Sequence, residues 1–401
     1  MSTIAEARFD DASFYLGDPH AVYRDLRETD PLHWYDAGGF WVATKYDDIR
    51  FISGHPELFS SQQVAILSDL RAIRAGRGEV DAAGRGVMFM DPPEHAQHRK
   101  VVSHRFSPGA MPALEPAVRG VVVDVLDGLP AGAFEWIAQV AETVPVFAFS
   151  RILGVPRDDW HQIVEWSTAI AAAGAGELSD SDLRRITEEV GPYLWSQLDA
   201  RRSEPTDDLL SLIATAQVDG RPLDDLQAVT YAMTLLAAGS ETTQSLIAGM
   251  AWCLSEFRDQ SDSVFGDAGL AAAVVEETLR WWTPVMSMAR QAVADVTVRD
   301  TTIRKGEGVL LLYPSANRDA DQWGGDADRF DLGRSDGSRH VAFGFGEHFC
   351  LGAHLARLEA RVLLEELVAR FAGIEVVGAP VLRRSPLIHT FDELPVRLTP
   401  R

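Results

Sequence analysis

Residues Phe343-Gly344-Phe345-Gly346-Glu347-His348-Phe349-Cys350-Leu351-Gly352 set one cysteine among three glycines and three phenylalanines. An amphipathic helical pattern, Ala353 to Phe371, follows at once. Glycines let a backbone turn tightly and bring its N–H groups close to a ligand atom. Such N–H groups, and a helix N-terminus, stabilise a thiolate. A cysteine that is only a small buried hydrophobe needs no loop of this kind. Cys253 is that other sort: Ala251-Trp252-Cys253-Leu254 lies in an apolar helical run and reads as core.

A thiolate presented under a flat apolar surface is what axial ligation of haem iron requires. On this run the chain resembles the cytochromes P-450, whose haem-binding loop reads F-x-x-G-x-x-x-C-x-G. Phe343, Gly346, Cys350 and Gly352 fill that pattern without a departure. The resemblance implies a mainly α fold with a minor β region. It implies one triangular, helix-rich domain over residues 1–401, enclosing haem b with Cys350 as the iron ligand.

Composition bounds the rest. The chain has 401 residues, 46% hydrophobic, enough for a large core, and no Pro/Gly/Ser-rich linker or internal repeat divides it. The net charge of −22 argues against nucleic acid as a partner. Two distant cysteines give no disulfide framework, which fits a reducing compartment. Met1 to Asp10 lacks the apolar stretch of a signal or anchor, and Ala228–Gly239 is too short to span a bilayer. A cytoplasmic protein without a membrane anchor is expected.

Along the chain, Asp18–Glu28 and Asp47–Ser53 show helical spacing. His33–Tyr35 and Phe40–Thr44 flank Asp36-Ala37-Gly38-Gly39 and read as a β-hairpin. Residues 71–87, with Gly76, Gly78, Gly84 and Gly86, read as a mobile loop. In the family that loop borders the substrate pocket. Met111–Leu153, Trp160–Ala173 and Asp180–Arg202 read as mostly helical, with Ala171–Gly176 an interruption. Val296, Val298, Ile303, Val309 and Leu311, and the tail Val381–Leu398, suggest short strands.

Asp224–Phe257 is helical over roughly 50 Å. Its middle, Ala238-Gly239-Ser240-Glu241-Thr242-Thr243, uses residues that suit a helix interior poorly. Glycine permits close approach of a ligand, and threonine hydroxyls bond back to the preceding turn. A carboxylate beside a hydroxyl on a buried helix is costly without a use. Ala238, Gly239, Glu241 and Thr242 match the family pattern A-G-x-[DE]-T. The resemblance makes Glu241 and Thr242 the catalytic pair that relays protons during reduction of dioxygen. It thereby favours an oxygen-using monooxygenase.

Three further sets match the family. Glu277 and Arg280 share a helix face by i, i+3 spacing. The resemblance makes them a buried structural pair with Arg334 as third partner. Asp91-Pro92-Pro93-Glu94-His95-Ala96-Gln97-His98-Arg99 matches D-P-P-x-H-x-x-x-R, with proline favourable at a helix start. His95 and Arg99 then project together, and His98 points elsewhere. By the same resemblance His95, Arg99, Arg290 and His348 hold the haem propionates. His340 closes the cysteine loop.

The pocket segments are apolar here: Leu235, Ala238, Pro284, Val285, Met286, Met288 and Ile388. A hydrophobic molecule of steroid, terpenoid, lipid or natural-product class fits such a lining. No phosphate-cradling glycine motif and no iron–sulfur cysteine set is present in the sequence. The resemblance therefore implies electrons from a separate ferredoxin or flavodoxin with its reductase. Arg99, Lys100, Arg105 and Arg357 are candidate docking cations. Two alternatives stand beside monooxygenation by O2. One is a peroxide-driven or bond-forming haem oxidase of the same fold; the other is a non-catalytic haem-binding protein.

Overall fold

Asp224 caps the longest helix, Asp225–Glu256, in a reciprocal box with Gln227 (N–H to Asp224 Oδ1 2.8 Å, Asp224 N–H to Gln227 Oε1 3.0 Å). At about 1.5 Å per residue, its 32 residues span about 48 Å. The computed structural model describes residues 4–76, 86–175, 179–334 and 336–401. Helices Thr143–Leu153, Trp160–Ala175, Gly191–Ser203 and Ala271–Trp282 pack around the long one. Gly249 makes the last contact possible, because a Cβ there would run into the Trp282 ring.

A five-stranded sheet lies to one side, in the order Leu32–Tyr35, Phe40–Ala43, Gly308–Leu312, Ser287–Ala292, Phe59–Ser60. Leu32–Tyr35 and Phe40–Ala43 form the expected hairpin, closed through Gly39 in the left-handed region (φ +70°). Gly308–Leu312 is buried along its whole length. Val309 and Leu311 enter one apolar cluster, while Leu310 and Leu312 enter another. A strand covered on both faces reads as a continuous apolar run. Its neighbour carries Arg290, paired with Val309.

Several sequence boundaries shift. Met111–Leu153 is two helices, Met111–Asp127 and Thr143–Leu153, separated by the strand Ala133–Glu135 and a π-helical turn Ile137–Ala141. The strand pairs with Pro395–Pro400, a partner far along the chain that local periodicity does not contain. The helix from Trp160 continues through the expected interruption to Ala175. Arg71–Arg74 belong to the helix Leu67–Arg74 rather than to a loop. Asp69 starts that helix by accepting the N–H groups of Ala65 and Ile66, and Leu67 and Leu70 are buried. Residues 77–85 of the expected loop lie outside the described residues.

Candidate active site

The cysteine loop is held by its own backbone. Cys350 N–H donates to Phe343 O at 2.9 Å, and Phe349 N–H to Gly346 O at 3.1 Å. Gly346 sits at φ +75°, and any Cβ there would collide with the backbone oxygen of Ser53. The helix Ala353–Arg370 starts three residues beyond the sulfur. Cys350 is half-buried. Burial pushes its thiol up, while the Gly352 N–H, Arg99 and Arg357 act in the opposite direction. Arg99 also donates to Phe349 O at 2.7 Å, bracing the loop from the helix Glu94–Ser103. Arg357 lies 4.6 Å from the Phe343 ring centre and forks onto Glu276 (2.5 and 2.9 Å). Buried His340 is 3.3 Å from the same carboxylate. Burial alone would raise Glu276, but these two bases hold it down at about 2.

Basic groups gather beside this loop. His95 and His348 lie with ring centres 4.2 Å apart. His95 is 3% exposed and Arg290 4%. Burial, then repulsion from Arg99, pushes His95 down to about 4. Burial, Arg290 and His95 together push His348 down to about 3. His348 Nε2 is buried without a hydrogen-bond partner among the described residues. Nearby Asp91 is committed to Ser60 Oγ (2.5 Å) and the Ser61 N–H (2.9 Å). Such a collection of buried bases with an orphaned ring nitrogen suits a pair of carboxylates beside a cysteine-ligated iron. His98 is also buried; its backbone carbonyl accepts from Tyr231 Oη at 2.8 Å, and its ring feels Glu94 and Asp219.

In the long helix, Ala238 is exposed and Thr242, four residues on, partly so; they share one face. Thr242 Oγ1 donates to Ala238 O at 2.8 Å, and Ser240 Oγ to Leu236 O at 3.0 Å. Both hydroxyls bond back along the helix as expected. Gly239 has a different use from the one expected. A Cβ there would lie 3.1 Å from the Phe149 ring, so the glycine lets a neighbouring helix approach rather than a ligand. Glu241 is not an uncompensated carboxylate: Arg383 reaches it at 2.8 Å and also binds Asp392 at 2.7 Å. Sequence reading missed Arg383, which stands 142 positions away beyond a two-residue strand and carries no motif.

Glu277 and Arg280 are buried at 2% and 0% exposure. Arg280 spends all five N–H donors. Two go to Glu277 (2.7 Å each), and three to the carbonyls of Asn317 (2.8 Å), Ala327 (2.7 Å) and Arg329 (2.6 Å). Glu277 Oε1 also accepts the Asp331 N–H at 2.8 Å and lies 3.6 Å from Arg334 Nε. Residues from three segments are thereby tied to the helix Ala271–Trp282.

A glycine-turned cysteine loop, a bank of buried bases and a long helix whose hydroxyls bond back along it together suit a haem-thiolate architecture. The cytochrome P450 family model matches residues 266–376. The chain is 33% identical to the cyclomarin C epoxidase CymV of Salinispora arenicola, over 90% of this chain and 91% of that one. It is 30% identical to the linalool 8-monooxygenase of Pseudomonas putida, over 96% of each. Among solved structures, cytochrome P450 CYP109Q5 from Chondromyces apiculatus superimposes with a TM-score of 0.86 at 33% identity, covering 100% of this chain and 98% of that one. The chain belongs to the cytochrome P450 family. It is a haem-binding P450 monooxygenase, and monooxygenases of this family use O2 and redox partners on hydrophobic substrates.

Proposed function

We propose that this protein places one atom of O2 into an apolar small molecule of terpenoid, steroid, lipid or natural-product class. Electrons come from a separate ferredoxin or flavodoxin with its reductase, in the cytoplasm, and the 401 residues act as one domain. The apolar lining carries the substrate reading. Val285 and Ile388 meet in an isolated bridge, Leu235 and Met286 are buried, and Ala238 is exposed on the long helix. Curated relatives named for cyclomarin C and linalool support a hydrophobic substrate.

Bound haem supplies dioxygen activation. In this reading Cys350 is the iron ligand; burial raises its thiol, and the Gly352 N–H with Arg99 and Arg357 offsets part of that rise. His95, Arg99, Arg290 and His348 take the two propionates, which supply the counter-charge their cluster needs. Thr242 frees Oγ1 from Ala238 O to hold a proton toward the reacting oxygen. Glu241 resupplies that proton from the side away from substrate. Arg99 and Arg357 lie near the sulfur, with Lys100 and Arg105 close in sequence; this basic patch on an acidic protein suits an acidic electron donor. Arg105 is already paired with Asp207 and Arg357 with Glu276, so docking competes with those pairs.

The test uses purified protein with a surrogate ferredoxin, its reductase, NADPH and isotope-labelled O2. Linalool, a fatty acid and a steroid are offered in turn. One labelled oxygen in a product supports the reading. Product formed with peroxide alone, and none with O2 and reductant, replaces it with the peroxide-driven alternative.

A further inference from the structure

Behind the long helix lies a partly open cavity of about 50 Å³, lined by Glu142, Val146, Ser167, Ser240, Glu241, Gln244 and Arg383. Three of its polar residues are at least nine-tenths buried: Ser167 at 5% exposure, Ser240 at 4% and Gln244 at 5%. Gln244 Nε2 has no hydrogen-bond partner among the described residues. A buried amide N–H left unpaired costs about 1–3 kcal/mol. A cavity needs roughly 10–15 Å³ per water, and the water needs two to four polar partners. This one satisfies both conditions for a small cluster of waters.

Its position gives the cluster a use. At about 100° per residue around the helix, Ala238 and Thr242 mark the substrate face, whereas Ser240 and Gln244 mark the opposite one. Glu241 stands between them, lining the cavity while sitting next to Thr242 in sequence. Arg383 links its carboxylate to Asp392, which is half exposed. We propose that Gln244 is a positioning residue for the relay: its buried, unpartnered Nε2 anchors water in this cavity beside Glu241. The proposal rests on the proton-relay role given above to Glu241. In each transfer Glu241 gives a proton toward Thr242 and regains one from the cavity water. That water is restored in turn from solvent on the Asp392 side.

The test compares haem-loaded wild type with Gln244→Leu, Gln244→Asn and Glu241→Gln. High-resolution crystal structures read the water, and titrations with NADPH and a surrogate ferredoxin read peroxide release and the solvent isotope effect. The expected wild-type structure has water bonded to Gln244 and Glu241, and Gln244→Leu lacks it. In that variant coupling to product falls several-fold, short of the roughly 100-fold cost of losing a direct proton donor. Its solvent isotope effect rises, its haem spectrum is unchanged, and Gln244→Asn restores coupling. A dry wild-type cavity overturns the proposal. So does normal coupling in Gln244→Leu while Glu241→Gln is impaired, which leaves the role of Glu241 standing. Normal coupling in Glu241→Gln removes both.

Discussion

Replacing Arg280 by lysine keeps the charge beside Glu277 and removes the fork, so it isolates what the geometry contributes. Arg280 is fully buried and makes five hydrogen bonds, two to Glu277 and three to backbone carbonyls. A lysine ammonium offers three donors from one point. At least two acceptors are then left dry, at about 1–3 kcal/mol each. The expected loss is about 3 kcal/mol, a change of roughly 100-fold in the folded-to-unfolded ratio. That is a large part of a stability of about 5–15 kcal/mol. Urea unfolding of the haem-loaded protein, followed by far-UV circular dichroism, reads the difference. Haem content after expression is expected to fall with it, because the carbonyls of Asn317, Ala327 and Arg329 hold the segments leading to the cysteine loop. A midpoint unchanged within error, with full haem content, would refute the argument that the fork rather than the charge locks this region.

Other outcomes follow from single sites. Gly346→Ala puts a Cβ into Ser53 O at a left-handed φ, so haem content should fall by more than half; normal loading contradicts the close packing. Burial, then repulsion from Arg318, holds His389 at about 4 against a partly opposing bond to Trp282 O, so the folded state resists protonation. Its contribution is present above about pH 6.5 and is lost as pH falls toward 4. The ring is only partly shielded, so the loss is discounted to about 2 kcal/mol. His389→Gln should flatten the acid limb of stability by about one proton between those values, and an unchanged slope counts against it. Burial raises the Glu359 carboxyl well above its usual value, so the folded protein keeps its proton as pH rises. That favours folding at low pH and is lost as pH rises, and the neutral isostere Glu359→Gln should stabilise the protein at pH 8 more than at pH 4. Equal effects at both pH values would show the group is solvated.

The cysteine loop was legible because its chemistry is local. Glycines at left-handed angles, a thiol and a following helix all fall within twelve residues. The central helix was legible for a related reason: its cap, length and polar interruption are written along one segment. Three of the five acceptors of Arg280 were not, since they are backbone carbonyls supplied by segments 37 to 49 positions away. Arg383 was equally invisible, because one of two adjacent arginines in the tail resembles any surface cation. Gly239 shows how a correct residue can carry the wrong reason. Its lack of a side chain was plain, but the neighbour that needs the space, Phe149, comes from another helix. The strand Ala133–Glu135 failed the helical reading because its pairing partner lies at the C-terminus.

The central claim is that Cys350 presents a thiolate to haem iron. The direct measurement is the absorption spectrum of the purified protein, reduced with dithionite and exposed to carbon monoxide, beside Cys350→Ser. The account predicts a strongly red-shifted Soret band for the wild type and its loss in the variant. A wild-type band at the position of histidine- or thiol-ligated haem, or no bound haem after expression with a haem precursor, would contradict it.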